Sequence, residues 1–390
     1  MQSLKNSSWE IDKEIQPYIH DITRGFLYVT ERCNMNCRGC YVSANCKRQD
    51  FSLDFAYKAV NTLIKHGAKS ITLMGGEPTL WKDIVNIVEY IIKNKVKVVI
   101  DTNCESQSLN ILEKINAFNS DIKKFIRWNV SIDSHDEKKH DLARKNGNWK
   151  NVLKFVKLAK ALGFTVSATC TITSETNSQI LEILRFLENI GIEECNLHAI
   201  SLEGNAINRK ELLNSYSDWN NMREKILSIN NFKDLNIRFP ILYAPKDPGK
   251  LSQTIFKNID PNKIYRCIGA HNADRLGIRA NNTIHVCALI GFMGLQGFYV
   301  NNNTLKKITN KSSRSTLGLA KSNEIDLFKM FDKNKKIFCP ATKYTNEEIY
   351  CQCPKDQALV CRSIKILKPS INNKNYFTKN YPSNPNLIIL

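Results

Sequence analysis

Three cysteines fall within eight residues, Cys33-Asn-Met-Asn-Cys37-Arg-Gly-Cys40, with Tyr41 directly after them. Thiolates spaced x3 and x2 can wrap a single iron-sulfur cubane. A [4Fe-4S] cluster normally takes four cysteines, so a triad leaves one iron open to a small-molecule ligand. Cys46 is close by but stands outside the spacing. The plainer alternative is a zinc knuckle. Structural zinc sites close four ligands, commonly as two C-x2-4-C pairs, and the triad fits that poorly.

A second set of thiols gathers in the last third of the chain: Cys267, Cys287, Cys339, Cys351, Cys353 and Cys361. Six thiolates satisfy one four-cysteine cluster with two left over, or two clusters completed by other groups such as His271 or His285. Zinc is again the alternative, since Cys351-x-Cys353 also occurs in zinc sites. Cys104 and Cys170 lie near the ends of two apolar runs, from which either could face a cavity and donate a hydrogen atom. Free cysteines are more often small buried hydrophobes.

The 390-residue chain is 42% hydrophobic and 24% charged, which excludes disorder and a fibrous repeat. No apolar run reaches the length of a membrane helix, and the opening MQSLKNSSWEIDKEIQ has no signal-peptide core. A cytoplasmic protein with no membrane partner is expected. Thirteen cysteines in a reducing compartment speak for metal or redox chemistry, not a disulfide framework. Lys+Arg 56 against Asp+Glu 37 gives +19, a charge that would attract nucleic acid or other anions. The lysines are scattered among asparagines, as in KNKVK and NNNTLKK, so nucleic acid is a possible partner but not the favoured one.

The elements that position these residues follow from hydrophobic periodicity. Apolar, β-branched runs at 25–30, 70–74, 96–101, 125–133, 164–171 and 195–200 read as strands. Helical periods alternate with them: one between the cap Ser52 and the stop Gly67, then 82–94, 149–162 before Gly163, and 179–190 before Gly191. Six βα units suit an open or partial α/β barrel with its chemistry at the C-terminal strand ends. A doubly wound sheet would give the same rhythm. A polar helical stretch at 208–229 and a proline-containing linker then lead into the irregular cysteine-rich region.

The strand ends carry further motifs: Met74-Gly75-Gly76-Glu77-Pro78, Asp101-Thr102-Asn103, Ser131-Ile132-Asp133-Ser134 and, just beyond, His140-Asp141-Leu142-Ala143-Arg144. Glycines let a backbone approach a ligand closely, Glu77 offers an acceptor for an ammonium, and Ser131 and Asp133 share one side of a period-two strand. Arg144 suits a carboxylate because a guanidinium meets it bidentately. Triad and motifs, in this order, resemble the radical S-adenosylmethionine (SAM) superfamily over residues 25–201. The resemblance implies a partial (β/α)6 TIM-like barrel with a smaller irregular C-terminal cysteine-rich domain. It also implies a [4Fe-4S] cluster on Cys33, Cys37 and Cys40, and SAM held by Gly75, Gly76, Glu77, Pro78, Thr102, Asn103, Ser131, Asp133, Arg144 and Tyr41. The family usually places an aromatic residue before the third cysteine, near the adenine; here that position is Gly39, and Tyr41 is its expected substitute.

Residues 276–287 read as a hairpin delivering Cys287, similar to the SPASM and twitch extensions that bind auxiliary iron-sulfur clusters. The cysteine spacing matches the SPASM pattern only in part. The implied organisation is an N-terminal extension (1–24), the barrel (25–201), a bridging helix and linker (202–265), an auxiliary-cluster domain (266–362) and a tail (363–390). The leading expectation is an oxidoreductase in which reductive cleavage of SAM yields a 5′-deoxyadenosyl radical that acts on a peptide to make a crosslink, thioether or epimerised centre. A flavodoxin or ferredoxin would be the reductant. The short stretch before Gly25 leaves no room for a leader-binding domain, which weakens the peptide reading. The alternatives are a small molecule (sugar, nucleotide or antibiotic precursor), RNA, and a non-enzymatic iron-sulfur carrier or sensor.

Overall fold

Seven segments bury an apolar residue at alternate positions: Leu27 and Val29, Ile71 and Leu73, Val98 and Ile100, Trp128 and Val130, Val166 and Ala168, Cys195 and Leu197, and finally Ile237. That period sends one side of each strand into a helix-covered core and leaves the other side for something else. In the computed structural model these segments are β2 (Arg24–Thr30), β3 (Ser70–Gly75), β4 (Lys97–Thr102), β5 (Ile126–Ser131), β6 (Thr165–Ile172), β7 (Glu194–Ala199) and β8 (Asn236–Arg238), after a short β1 (Glu10–Ile11). The structure describes residues 7–13, 16, 22–42, 49–200, 204–206, 208–214, 216–229, 232–238, 275–285 and 298–307, with strand pieces at 241–244, 247–251, 265–266, 360–361 and 388–389.

Strands β2 to β8 are parallel and adjacent in sequence order, and β2 and β8 do not pair with each other. The result is an α/β fold with an open, partial TIM-like barrel. Its covering helices are α1 (Leu53–Lys65), α2 (Ile84–Lys93), α3 (Ser106–Asn116), α4 (Glu137–Ala143), α5 (Asn148–Ala161), α6 (Ile180–Asn189) and α7 (Tyr216–Ile229). The Ser52 hydroxyl caps α1 by accepting from the Phe55 N–H at 3.2 Å, and the chain turns out of the helix at Gly67 with φ of 98°. Val60 and Leu63 are wholly buried beneath it, each contributing about 1.5–3 kcal/mol. Helix α3 was not expected from periodicity. Its buried stripe is only Ile111, Leu112 and Ile115 beside Ser108.

The C-terminal hairpin joins the barrel's sheet: β9 (Arg275–Arg279) runs parallel to β2, pairing Gly277 with Phe26 and Arg279 with Tyr28. It continues through β10 (Thr283–His285), β11 (Phe298–Asn301) and β12 (Thr304–Lys307), which in turn pairs with β1. The reason lies in the same period-two code: Leu276, Ile278, Ile284 and Leu305 bury in the barrel's own hydrophobic core. On the other side of the hairpin a Cβ at Gly277 would stand 2.3 Å from the His285 ring, so only glycine admits the imidazole. The expected linker also contributes a strand, since β8 extends the sheet past β7.

Candidate active site

The C-terminal ends of β2 to β7 surround a cavity of about 190 Å³. Cys33, Cys37, Cys40, Tyr41, Gly75, Gly76, Glu77, Pro78, Thr102, Asn103, Ser131, Asp133 and Arg144 all line it. Residues drawn from five separate stretches of sequence are therefore brought to one place.

The cysteine loop that follows β2 is fixed from three directions. The Arg32 guanidinium grips Asp50 at 2.8 and 2.6 Å, and the Arg32 carbonyl accepts from the Glu77 N–H at 2.8 Å. The Arg38 N–H donates to the Ala143 carbonyl at 2.9 Å. Asn205 reaches in from beyond β7, its backbone N–H donating to the Cys40 carbonyl and its amide to the Cys37 carbonyl, both at 2.9 Å.

Cys33, Cys37 and Cys40 are free thiols. Burial pushes the Cys33 thiol up to about 12 and raises Cys37 as well, the latter despite the opposing Arg144 charge. Such thiols ionise only beside a cation, and a coordinating metal deprotonates them outright. Three half-buried, loop-presented thiols facing a cavity fit a cluster ligated at three corners.

Glu77 is buried and fully engaged. Its Oε1 accepts from the Thr79 N–H (3.2 Å), the Thr79 hydroxyl (2.6 Å) and the Thr102 hydroxyl (3.0 Å), and Oε2 accepts from the Asn103 N–H (2.7 Å). Burial pushes its carboxyl up to about 7 against the pull of these donors. The side chain ties the end of β3 to the end of β4. The need for Gly75 is also local: at φ of 155° its missing Cβ would fall 1.9 Å from the Thr30 carbonyl oxygen, and the next N–H, that of Gly76, donates to the same oxygen.

Arg144 holds Asp133 with two hydrogen bonds, and the Thr171 N–H donates to Asp133 Oδ1 at 2.8 Å. Burial would raise the Asp133 carboxyl, but Arg144 outweighs it and holds the group below the usual carboxylate range. The Asp133 N–H donates to His140 Nδ1, which leaves Nε2–H to donate to the Asn148 carbonyl oxygen at 2.9 Å. That is the neutral tautomer, in keeping with the burial that lowers the His140 pKa. Asn148 donates onward to the Asn103 carbonyl, and the Asn103 amide to Asn34 in the cysteine loop. At Gly39 a Cβ would lie 3.2 Å from Ile200 Cδ1, so the strand end after β7 fills the space beside the third cysteine. The Tyr41 hydroxyl sits 3.3 Å from that of Tyr28.

The two expected hydrogen donors lie in the hydrophobic core. Cys104 and Cys170 are fully buried and neither lines the cavity. Cys170 shares the core side of β6 with Val166 and Ala168, while Thr169 and Thr171 take the cavity side. Of the auxiliary set, Cys267, Cys287, Cys339, Cys351 and Cys353 lie outside the described residues, as do His271 and Cys46. Cys361 falls on a two-residue strand whose backbone alone is described. Asp101 of the Asp101-Thr102-Asn103 motif lines the cavity, as do Asn129, Thr169 and His198, which were missed. The signal was there in the alternating polar residues 127-129-131-133, 167-169-171 and 194-196-198.

A family model described as the radical SAM superfamily matches residues 27–187. The GTP 3',8-cyclase of Campylobacter fetus subsp. fetus (strain 82-40) is 30% identical over 275 residues, covering 66% of this chain and 78% of that protein. The GTP 3',8-cyclase of Aquifex aeolicus (strain VF5) is 29% identical over 171 residues, 42% of this chain, and the match spans about half of that relative, 52%. Among solved structures, SuiB of Streptococcus suis bound to S-adenosylmethionine superposes with a TM-score of 0.53 at 16% identity, covering 71% of this chain and 63% of SuiB. The structure of anSMEcpe with bound AdoMet gives 0.51 at 14%, covering 92% and 91%. The last two are likenesses of fold. Sequence kinship over most of the Campylobacter protein, joined to a cysteine loop and strand ends that meet in one cavity, places this chain in the radical SAM superfamily, whose enzymes use a [4Fe-4S] cluster and SAM.

Proposed function

We propose that the chain is a radical SAM enzyme whose substrate is a small molecule of the nucleoside or nucleotide class. The observation that carries this reading is the 30% identity with a GTP 3',8-cyclase across 78% of its length. The peptide reading draws only on likeness of fold: SuiB bound to its precursor peptide superposes with a TM-score of 0.54 at 18% identity. The small-molecule alternative is therefore preferred to peptide modification.

In this reading Cys33, Cys37 and Cys40 hold the cluster, and the strand-end residues from Gly75 to Arg144 surround SAM. Held by these residues, a bound cluster would supply the electron for reductive cleavage of SAM to methionine and a 5′-deoxyadenosyl radical. The chain's own part is positional. Glu77, Thr102 and Asn103 lock two strand ends together, Asp133 and Arg144 fix a third, and the enclosing cavity keeps water from the radical. The six C-terminal cysteines are proposed to carry at least one auxiliary cluster. A flavodoxin or ferredoxin in the cytosol is the proposed reductant. Among the described residues no helix is long and apolar enough to cross a membrane.

The test is anaerobic reconstitution followed by measurement of iron and 5′-deoxyadenosine, with and without nucleosides and nucleotides. Changing Cys33, Cys37 and Cys40 together to Ala is expected to abolish deoxyadenosine while about four irons per chain remain on the C-terminal cysteines. No nucleoside- or nucleotide-dependent product from an iron-replete wild type would sink the substrate reading.

A further inference from the structure

Asn103 directly follows β4, and each polar group it carries is held by a different part of the chain. Its N–H donates to Glu77 Oε2 at 2.7 Å, and its carbonyl accepts from the Asn148 amide at 2.9 Å. The side-chain oxygen accepts from the Glu105 N–H at 3.0 Å, the local turn that asparagine makes with the backbone two residues on. That bond decides which way the amide points. With Oδ1 committed to a backbone donor, Nδ2 faces the cysteine loop, where it donates to Asn34 Oδ1 at 2.8 Å and to Cys33 Sγ at 3.8 Å. Both amide protons of this buried side chain are thus used within the protein.

The anchor behind Asn103 is itself fixed. Asn148 is wholly buried at the start of α5, its carbonyl oxygen on His140 Nε2 and its amide shared between the Asn103 carbonyl and Glu105 Oε1, each at 2.9 Å. Cys33 and Cys37 are served unequally by their surroundings. Cys37 stands beside the Arg144 guanidinium, whose charge favours a thiolate there. Cys33 has the Glu77 carboxyl group nearby, which opposes a thiolate, and takes its hydrogen bonds from neutral donors, the Met35 N–H and the Asn103 amide.

We infer that Asn103 is a positioning residue of the cysteine triad: its amide donates to the Cys33 sulfur, orients that ligand and makes the cluster easier to reduce, and its side chain is not spent on SAM. An electron added to a cluster increases the negative charge on its sulfurs. A donor aimed at one of them therefore stabilises the reduced state more than the oxidised one, and hydrogen bonds to the sulfurs are among the levers that set a cluster's potential. The inference rests on the triad holding the cluster, as proposed above, and is independent of the substrate class.

The experiment reconstitutes the full chain anaerobically and follows the reduction midpoint of the triad's cluster by EPR, that cluster being the one whose signal changes when SAM is added. SAM affinity is measured alongside. Asn103→Ser is the variant of choice, because a hydroxyl still accepts from the Glu105 N–H but offers Cys33 no amide. The expected result is that reduction becomes about tenfold less favourable, a midpoint about 59 mV lower for one electron, while SAM affinity changes by less than about threefold. An unchanged midpoint in an iron-replete variant overturns the inference, and a loss of SAM affinity beside it would return Asn103 to the SAM contacts. If the variant loads no iron, pulsed EPR of the reduced wild type with nitrogen-15 in its asparagine side chains decides. A nitrogen coupling to the triad's cluster supports the bond, and its absence overturns it. A wild type that binds no iron at the triad brings down the cluster reading as well.

Discussion

Arg144 and Asp133 meet through two parallel hydrogen bonds, Nε to Oδ2 at 2.5 Å and Nη2 to Oδ1 at 2.9 Å, with both side chains largely withdrawn from solvent. A pair buried in this way matters most when one partner is lost. Asp133→Asn leaves the guanidinium charged and uncompensated, and should destabilise the fold by about 3–5 kcal/mol. The midpoint of urea unfolding reads this directly. A change below about 1 kcal/mol would mean that water already relieves the charge.

Glu77 makes stability fall with pH. Its folded-state carboxyl titrates at about 7 against an ordinary value of 4.5, so the folded protein binds a proton that the unfolded chain has released between those limits. The associated stabilisation is fully present below about pH 4.5 and is lost as the pH rises through about 7, a change of roughly 3 kcal/mol. Glu77→Gln should remove that slope from the cluster-free protein. Equal slopes in wild type and variant, measured by denaturant titration from pH 4.5 to 7.5, would assign the titration to another group.

Two glycines with positive φ should respond differently to alanine. At Gly75 the new Cβ meets the Thr30 carbonyl oxygen at 1.9 Å, whereas at Gly163, with φ of 80°, nothing lies within 4 Å. Gly163→Ala therefore costs only the left-handed backbone term, about 1–2 kcal/mol. Gly75→Ala must also displace the backbone of a neighbouring strand, and is expected to lose well over about 3 kcal/mol or to fail to fold. Thermal melts of the two variants side by side distinguish the outcomes.

Cys170→Ala separates packing from chemistry. A side chain confined to the core side of β6 should cost roughly 1–2 kcal/mol when truncated and leave deoxyadenosine formation and substrate turnover as they were. Loss of turnover without loss of stability would restore it as a hydrogen donor.

The period-two alternation of β2 to β7 was legible, as were the triad, the caps at Ser52 and Gly67 and the grouping of motifs at strand ends. What escaped was the side on which each residue falls. Cys170 could face the cavity by its position near the strand end, although the polar Thr169 and Thr171 already marked the opposite side. Helix α3 escaped because its apolar stripe is narrow, too weak a signal beside the strong strands around it. The roles of Glu77 and Arg144 depend on partners that no spacing reveals, namely Thr102 and Asn103 for one and Asp133 for the other. The pairing of β9 with β2 was beyond reach for the same reason, since 248 residues separate Arg279 from Glu31, the two charges that clasp each other across it.

That separation has a bearing on biosynthesis. Strand β2 leaves the ribosome early, yet the strand that covers its free edge is made only some 250 residues later, on the order of tens of seconds at ordinary elongation rates. For that interval the nascent barrel exposes a bare row of backbone donors and acceptors, the feature that invites strand addition from other chains. Yield of intact protein should therefore depend on how fast translation proceeds through residue 279, and chains cut short before β9 should be recovered as aggregates.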